Sequence, residues 1–201
     1  VAILRQRGDK MKTIKFAKVK ENAIIPTKTD ENMGYDIYAC FDEDYIEIRP
    51  QQTKLIPTGI ASCCSDDYGF IIKERGSTGS QGIAVRCGVI DSGFRGEWFI
   101  ALTNTTTETI RITKKVDKVQ QGVAYGGKEE KYYFGTNQNV DFAQNDPFVY
   151  GETLKLYPYS KAIAQAILVP VPKVEVEEVT YNELKSIKSD RMNGQLGSSG
   201  K

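Results

Sequence analysis

Short apolar runs, each broken within a few residues by Pro, Gly, Asp or Asn, restrict this chain to strands before any other feature is weighed. Ile14-Lys15-Phe16-Ala17, Tyr45-Ile46-Glu47-Ile48 and Phe70-Ile71-Ile72 are runs of this kind. Trp98-Phe99-Ile100-Ala101-Leu102 and residues 164–171 read as more deeply buried strands. Before the C-terminus no stretch keeps a 3.6-residue apolar stripe over three turns, and residues 181–188 predict only a turn or two of helix. The pattern predicts an all-β chain, folded as a barrel or a two-sheet sandwich.

Charge and residue usage narrow the chemistry. The 201 residues carry 27 Lys+Arg against 26 Asp+Glu, a net charge of +1. That balance argues against holding nucleic acid by bulk electrostatics, so no direct nucleic-acid partner is expected. The length suits one domain, and 40% apolar residues suffice for a core. No apolar run approaches the ~18 residues of a membrane helix, and no membrane span is expected. Histidine is absent, which removes the usual general base and the commonest zinc ligand. Cys40, Cys63, Cys64 and Cys87 form no C-x-x-C pair. They predict reduced, structural thiols and a cytoplasmic location.

Residues 1–10 show no alternation and precede the first methionine, Met11; they are expected to be a disordered extension outside the fold. Residues 11–190 are expected to form the barrel. Within them, residues 114–157 are rich in Lys, Asp, Gln, Gly and Tyr and separate two clear strand patterns. Loops beyond ~15 residues in a compact domain are functional or carry structure of their own, so this segment reads as an insertion. Its aromatics supply either a small core or a partner-binding surface. Residues 191–201 are expected to be a mobile C-terminal arm.

Three stretches combine glycine, charge and hydroxyls where strands end: Gly34-Tyr35-Asp36-Ile37, residues 75–96, and residues 191–200. Loops with arginine, hydroxyls and open backbone N–H groups suit polyphosphate oxygens. Asp91, set between Val89-Ile90 and a glycine turn, is placed to act as a general base toward water. The tail is not a phosphate-binding P-loop: the residue five before Gly200 is Gln195, and no Lys-Ser/Thr pair opens a helix there.

In this order the pieces resemble the five motifs of the homotrimeric dUTPase family. Met33-Gly34-Tyr35-Asp36-Ile37 resembles the first motif, and residues 74–83 the second. Gly88-Val89-Ile90-Asp91-Ser92-Gly93-Phe94-Arg95-Gly96 matches the third almost residue for residue and is the most specific signal. Ile163-Ala164-Gln165-Ala166-Ile167 resembles the fourth, and residues 191–200 keep the spacing of the fifth.

The resemblance implies a dUTPase-like jelly-roll β-barrel, assembled as a trimer, that hydrolyses dUTP to dUMP and pyrophosphate. It implies Mg²⁺ on the triphosphate and attack of water, activated by Asp91, at the α-phosphorus. Asp36 then stands near the metal's water shell, or simply caps a turn. Arg75, Gly76, Ser77, Val89, Ile90, Phe94, Gln165, Arg191, Leu196, Gly197 and Ser198 fall at substrate-binding positions. The backbone of residues 84–89 is implied to read the uracil edge, and the Phe94 ring to lie under deoxyribose, unless Phe94 is a core residue. Several positions depart from the family pattern: Gly76 replaces a serine, Gln81 a lysine, Ala162 an arginine and Leu196 an aromatic ring.

Two other functions compete. The dCTP deaminases share the fold, but they need a glutamate where this chain has Ala101. A binding protein that engages a protein regulator through the insertion is the rival from another class, on the strength of the insertion's position.

Overall fold

The protein is described by a computed structural model covering residues 13–115, 122–126, 129–133 and 154–189. Both the extension at residues 1–10 and the arm at residues 191–201 lie outside the described residues. The chain divides into a unit ending at Val171 and a second one beginning at Pro172. The barrel therefore ends earlier than the residue 190 expected from sequence.

The first unit is the predicted all-β jelly roll. Its strands are β1 (Lys15–Lys18), β2 (Gly34–Tyr38), β3 (Tyr45–Ile48), β4 (Thr53–Pro57), β5 (Ile60–Cys63), β6 (Tyr68–Lys73), β7 (Ile83–Arg86) and β8 (Val89–Ile90). They continue with β9 (Phe99–Asn104), β10 (Thr109–Thr113), β11 (Gly122–Gly126), β12 (Glu129–Tyr133), β13 (Leu154–Pro158) and β14 (Ala162–Pro170). One short helix, α1 (Gly76–Gly79), interrupts them. The sheets run β1-β5, β11-β12-β13-β10-β3, β2-β14-β6-β8 and β4-β9-β7.

Alternation along these strands sends one set of side chains inward. Ile37, Ile48, Ile56, Ile60, Ile100, Leu102, Ile110, Ile112 and Ile163 are fully buried, with Trp98 and Phe70 at the centre. The Trp98 ring meets Phe70 edge-on at 5.0 Å and Phe16 at 5.7 Å, the tilted geometry that aromatic quadrupoles favour. Asn104, wholly buried, closes β9: its amide donates to the Ile48 and Glu108 carbonyls, while its oxygen accepts from the N–H and hydroxyl of Thr106. A buried amide with every valence used fixes the strand end without desolvation cost left over.

The insertion assigned to residues 114–157 overlaps a barrel strand. β13 lies parallel to β10, with Arg111 opposite Leu156 and Ile112 opposite Tyr157, and both Leu156 and Tyr157 are buried. The polar composition before residue 154 hid the start of this strand. Within the insertion, β11 and β12 pair antiparallel, and β12 runs alongside β13. The rest of the insertion, with half of its aromatics, lies outside the described residues.

In the second unit, α2 (Tyr181–Ser186) is the predicted short helix. Thr180 caps it: its hydroxyl accepts from the Glu183 N–H, and the Glu183 carboxylate accepts from the Thr180 N–H at 2.8 Å. This reciprocal pair satisfies two backbone donors that the first turn would leave open.

Candidate functional site

Three neighbouring strands of one sheet border a polar pocket. β14 lies between β2 and β6, with Gln165 opposite Asp36 on one side and Lys73 on the other. That register carries the first, second and fourth motif stretches to the same edge. A pocket of about 420 Å³ is lined there by Asn32, Met33, Gly34, Asp36, Arg75, Gly76, Ser77 and Gln165.

Arg75 is the best-fixed cation of this pocket. Its Nε lies 2.9 Å from Asp36 Oδ1 and a terminal nitrogen donates to Oδ2 at 3.4 Å. Another donates to the Ala162 carbonyl at 3.5 Å. The forked pairing holds the guanidinium plane in the pocket wall. Behind it, the Tyr157 hydroxyl donates to the same Ala162 carbonyl at 2.7 Å. Burial pushes the Tyr157 phenol up to about 12, so it stays a neutral donor.

The loop after Arg75 is held from below. Thr78, buried, accepts the Arg75 N–H at 3.0 Å through its hydroxyl and donates back to the Arg75 carbonyl at 3.1 Å. Ser77 is exposed and lines the pocket. A side chain at Gly76 would meet no atom within 4 Å, so the missing serine leaves open space. Gly34 is the opposite case: a Cβ there would stand 2.4 Å from Gln165 Oε1, which makes glycine a requirement of the Gln165 position.

Asp91 lies elsewhere. β8 runs antiparallel to β6, with Val89 opposite Ile71 and Ile90 opposite Phe70. Asp91 thus leaves the sheet level with Gly69, near the start of β6, while Arg75 follows the other end. From Gly69 to Lys73 alone the strand spans about 13 Å. A second pocket of about 260 Å³ gathers Asp91 with Val89, Ile90, Tyr68, Ile71 and Val169 among its lining. It shares no lining residue with the first. Within the chain Asp91 and the Arg75 pocket are therefore apart.

Residues 84–89, implied by the resemblance to read the uracil edge, form a corner between sheets: β7 pairs with β9, and β8 pairs with β6. Cys87 takes a left-handed φ of 51° in the bend. Gly88 is pressed onto β6, where a Cβ would come within 2.5 Å of the Ile72 carbonyl oxygen. Phe94 is 44% exposed, over Gly96; it is not a core residue. Of the remaining predicted positions, Arg191, Leu196, Gly197 and Ser198 lie outside the described residues.

Sequence reasoning missed Thr78, Tyr157 and the Ala162 carbonyl, which set Arg75, and Asn32, which lines the pocket. Thr78 sits three residues after Arg75, the spacing at which an N3 side chain reaches back to a helix cap, and that signal was legible. Nothing in the pattern marks the others. No group of three or more His, Cys, Asp or Glu able to hold a metal ion occurs among the described residues.

Residues 20–125 match the model of the dUTPase family. A deoxyuridine 5'-triphosphate nucleotidohydrolase of Nautilia profundicola is 35% identical over 116 residues, covering 55% of this chain and 78% of the relative. Among solved structures, the dUTPase of Staphylococcus bacteriophage 80alpha with dUpNHpp superposes with a TM-score of 0.65 at 21% identity, over 94% of this chain and 99% of that one. An Asp-to-Asn mutant of the dUTPase of phage phi11 of S. aureus, described with a structural Mg(II) ion, gives a TM-score of 0.58 at 21% identity, over 83% and 96%.

Proposed function

The chain belongs to the dUTPase family, and we propose that it hydrolyses dUTP to dUMP and pyrophosphate at a site assembled between copies of the chain. The observation that carries this reading is the pocket in which Asp36, Arg75, Ser77 and Gln165 converge from three separate stretches of sequence. Such a pocket suits a triphosphate: Arg75 supplies fixed charge and Ser77 a hydroxyl donor. Asp91 takes the proton of the attacking water, and the α–β phosphoanhydride bond breaks with pyrophosphate as leaving group.

The distance between the Arg75 pocket and Asp91 along β6 supports a composite site, in which one copy binds phosphates and another presents the base. A homotrimer with the arm of a further copy closing over the nucleotide meets that requirement. In this arm Arg191 and Ser198 would contact phosphates, Gly197 would let the backbone approach, and Leu196 would cover the base. The exposed Phe94 ring is free to lie under deoxyribose.

Mg²⁺ fits as an ion carried in by the triphosphate. The pocket has a single lining carboxylate, Asp36, which suits contact through water with a hard ion that keeps its hydration. When bound, the ion neutralises developing charge on the phosphate oxygens. Deamination of dCTP is disfavoured, because Ala101 is 3% exposed and offers no acid or base.

The test is release of pyrophosphate from dUTP, dCTP and dTTP by the purified chain with Mg²⁺. Turnover confined to dUTP, abolished in Asp91→Asn with binding kept, is expected. An Asp91→Asn protein that keeps a tenth or more of wild-type kcat would remove Asp91 as the base.

A further inference from the structure

The corner at residues 84–89 is anchored to the end of β6 at two points. One is backbone: the Ile72 N–H donates to the Gly88 carbonyl at 2.6 Å. The other is a side chain. Glu74 Oε1 accepts the Val85 N–H at 2.8 Å. β6 and β7 belong to different sheets, so this carboxylate bridges two sheets beside the bend. It also takes up a backbone donor on β7, which among the described residues pairs with β9 alone. An unpaired donor at that place would carry a desolvation penalty.

Glu74 is held in turn. Its carbonyl accepts from Gln165 Nε2 at 2.7 Å, and its Oε2 lies 3.6 Å from the Lys73 ammonium. The next residue along the chain is Arg75. A single residue thus touches the corner with its side chain, the strand of Gln165 with its carbonyl, and the Arg75 loop through the peptide bond. The Val85 N–H holds the Glu74 carboxyl below the usual carboxylate range, so the acceptor is charged and the bond strong.

We propose that Glu74 is a positioning residue for base selection, clasping the 84–89 corner to the loop that carries Arg75. This rests on the dUTP-hydrolysing reading, in which that corner presents its backbone to the base. Discrimination by backbone groups depends on tight placement, because an edge that shifts by a fraction of an ångström admits an extra methyl. The clasp predicts that Glu74 acts on KM and selectivity, while the bond-breaking step, served by Asp91 at the other end of β6, is spared.

The experiment compares Glu74→Ala and Glu74→Gln in the full chain. Glu74→Ala is expected to raise KM for dUTP roughly tenfold with kcat within about twofold, the size expected from losing one charge-assisted hydrogen bond. Its preference for dUTP over dTTP should fall, and amide exchange at residues 85–87 should accelerate. Glu74→Gln keeps an oxygen acceptor and should stay within about threefold of wild type. An unchanged KM and preference in Glu74→Ala would overturn the proposal, even with a lowered melting temperature, since a structural edge cap would move only stability. A Glu74→Gln protein as impaired as Glu74→Ala would overturn it equally. If Glu74→Ala fails to fold, Glu74→Asp, one methylene shorter, is read in its place with the same expectations. A wild-type chain that turns over no dUTP would sink the functional reading instead; amide exchange at residues 85–87 in Glu74→Ala, rapid or unchanged, would then decide the clasp by itself.

Discussion

The two ends of β6 are built differently. At the Arg75 end, an ion pair with Asp36, the Thr78 hydroxyl, the Gln165 amide and the Tyr157–Ala162 pair fix a polar pocket from several sides. At the Asp91 end, the surroundings are apolar: Val89 is 70% and Ile71 39% exposed. There the turn is held by the Phe94 N–H donating to the Asp91 carbonyl and by Arg95 donating to the Ser92 and Phe94 carbonyls. Charge is fixed where phosphate oxygens would need preorganised donors, since such donors work without reorganising. An exposed apolar rim beside the Asp91 and Asp66 carboxylates is, by contrast, an unfinished surface. The difference teaches that the two ends of one strand carry a fixed polar pocket and an apolar rim that share no residue.

The sharpest way to break this comparison is complementation. Asp91→Asn and Arg75→Ala should each lower kcat/KM by about a thousandfold, within the range for loss of a general base or of charge-assisted contacts. Because the two groups lie at opposite ends of β6, mixed oligomers of the two variants should regain a substantial fraction of wild-type turnover. Mixtures as inactive as the parents, in a protein shown by sedimentation to exchange subunits, would place both groups in one copy's site.

A smaller effect separates stability from turnover at the finished end. Tyr157→Phe should cost about 1 kcal/mol in urea unfolding, with kcat little changed, because Arg75 remains as a donor to the Ala162 carbonyl. Its pH dependence has a definite sign. The folded phenol is raised from 10.0 to about 12, so the stabilisation is complete below 10, where the unfolded tyrosine is also neutral. It is lost as pH rises through the folded value. Wild type should therefore weaken between about pH 10 and 12 more than Tyr157→Phe does, measured as urea midpoints against pH.

Glu74 gives the acid counterpart. Its carboxyl is lowered from 4.5, chiefly by the Val85 N–H, so its contribution is present above the unfolded value and disappears as pH falls through the lower, folded one. Glu74→Gln should flatten that part of the acid limb, and a limb identical to wild type would show that the bond contributes nothing there. The smallest effect belongs to Gly76→Ser. With no atom within 4 Å of the new Cβ, stability should stay within about 0.5 kcal/mol. The added hydroxyl should raise dUTP turnover severalfold; turnover unchanged or lowered would mean that Ser77 already supplies what the pocket lacks.

Much of this was legible in the residues. Alternation with glycine and proline breaks gave β3, β6 and β9, because strand periodicity depends only on which faces are wet. The resemblance named Asp36, Arg75, Gln165 and Asp91, of which the first three line one pocket and Asp91 another. The extent of the insertion was not legible, since β13 earns its place by lying beside β10, a partner more than forty residues earlier in the chain. Phe94 was likewise undecided: a lone aromatic beside glycines reads equally as core or as surface, and its 44% exposure settles the matter.

What the sequence determined by itself was the all-β class, the lack of a histidine base, and the identity of the charged and hydroxyl groups near strand ends. These follow from local patterning and composition, which act over a few residues. Only the tertiary structure decided which of those groups meet. The register of β14 between β2 and β6 put Gln165 opposite Asp36, and the antiparallel run of β8 carried Asp91 to the far end of β6. Register is a long-range choice, made by burial of whole strands, and it divided one string of motifs into two separate clusters.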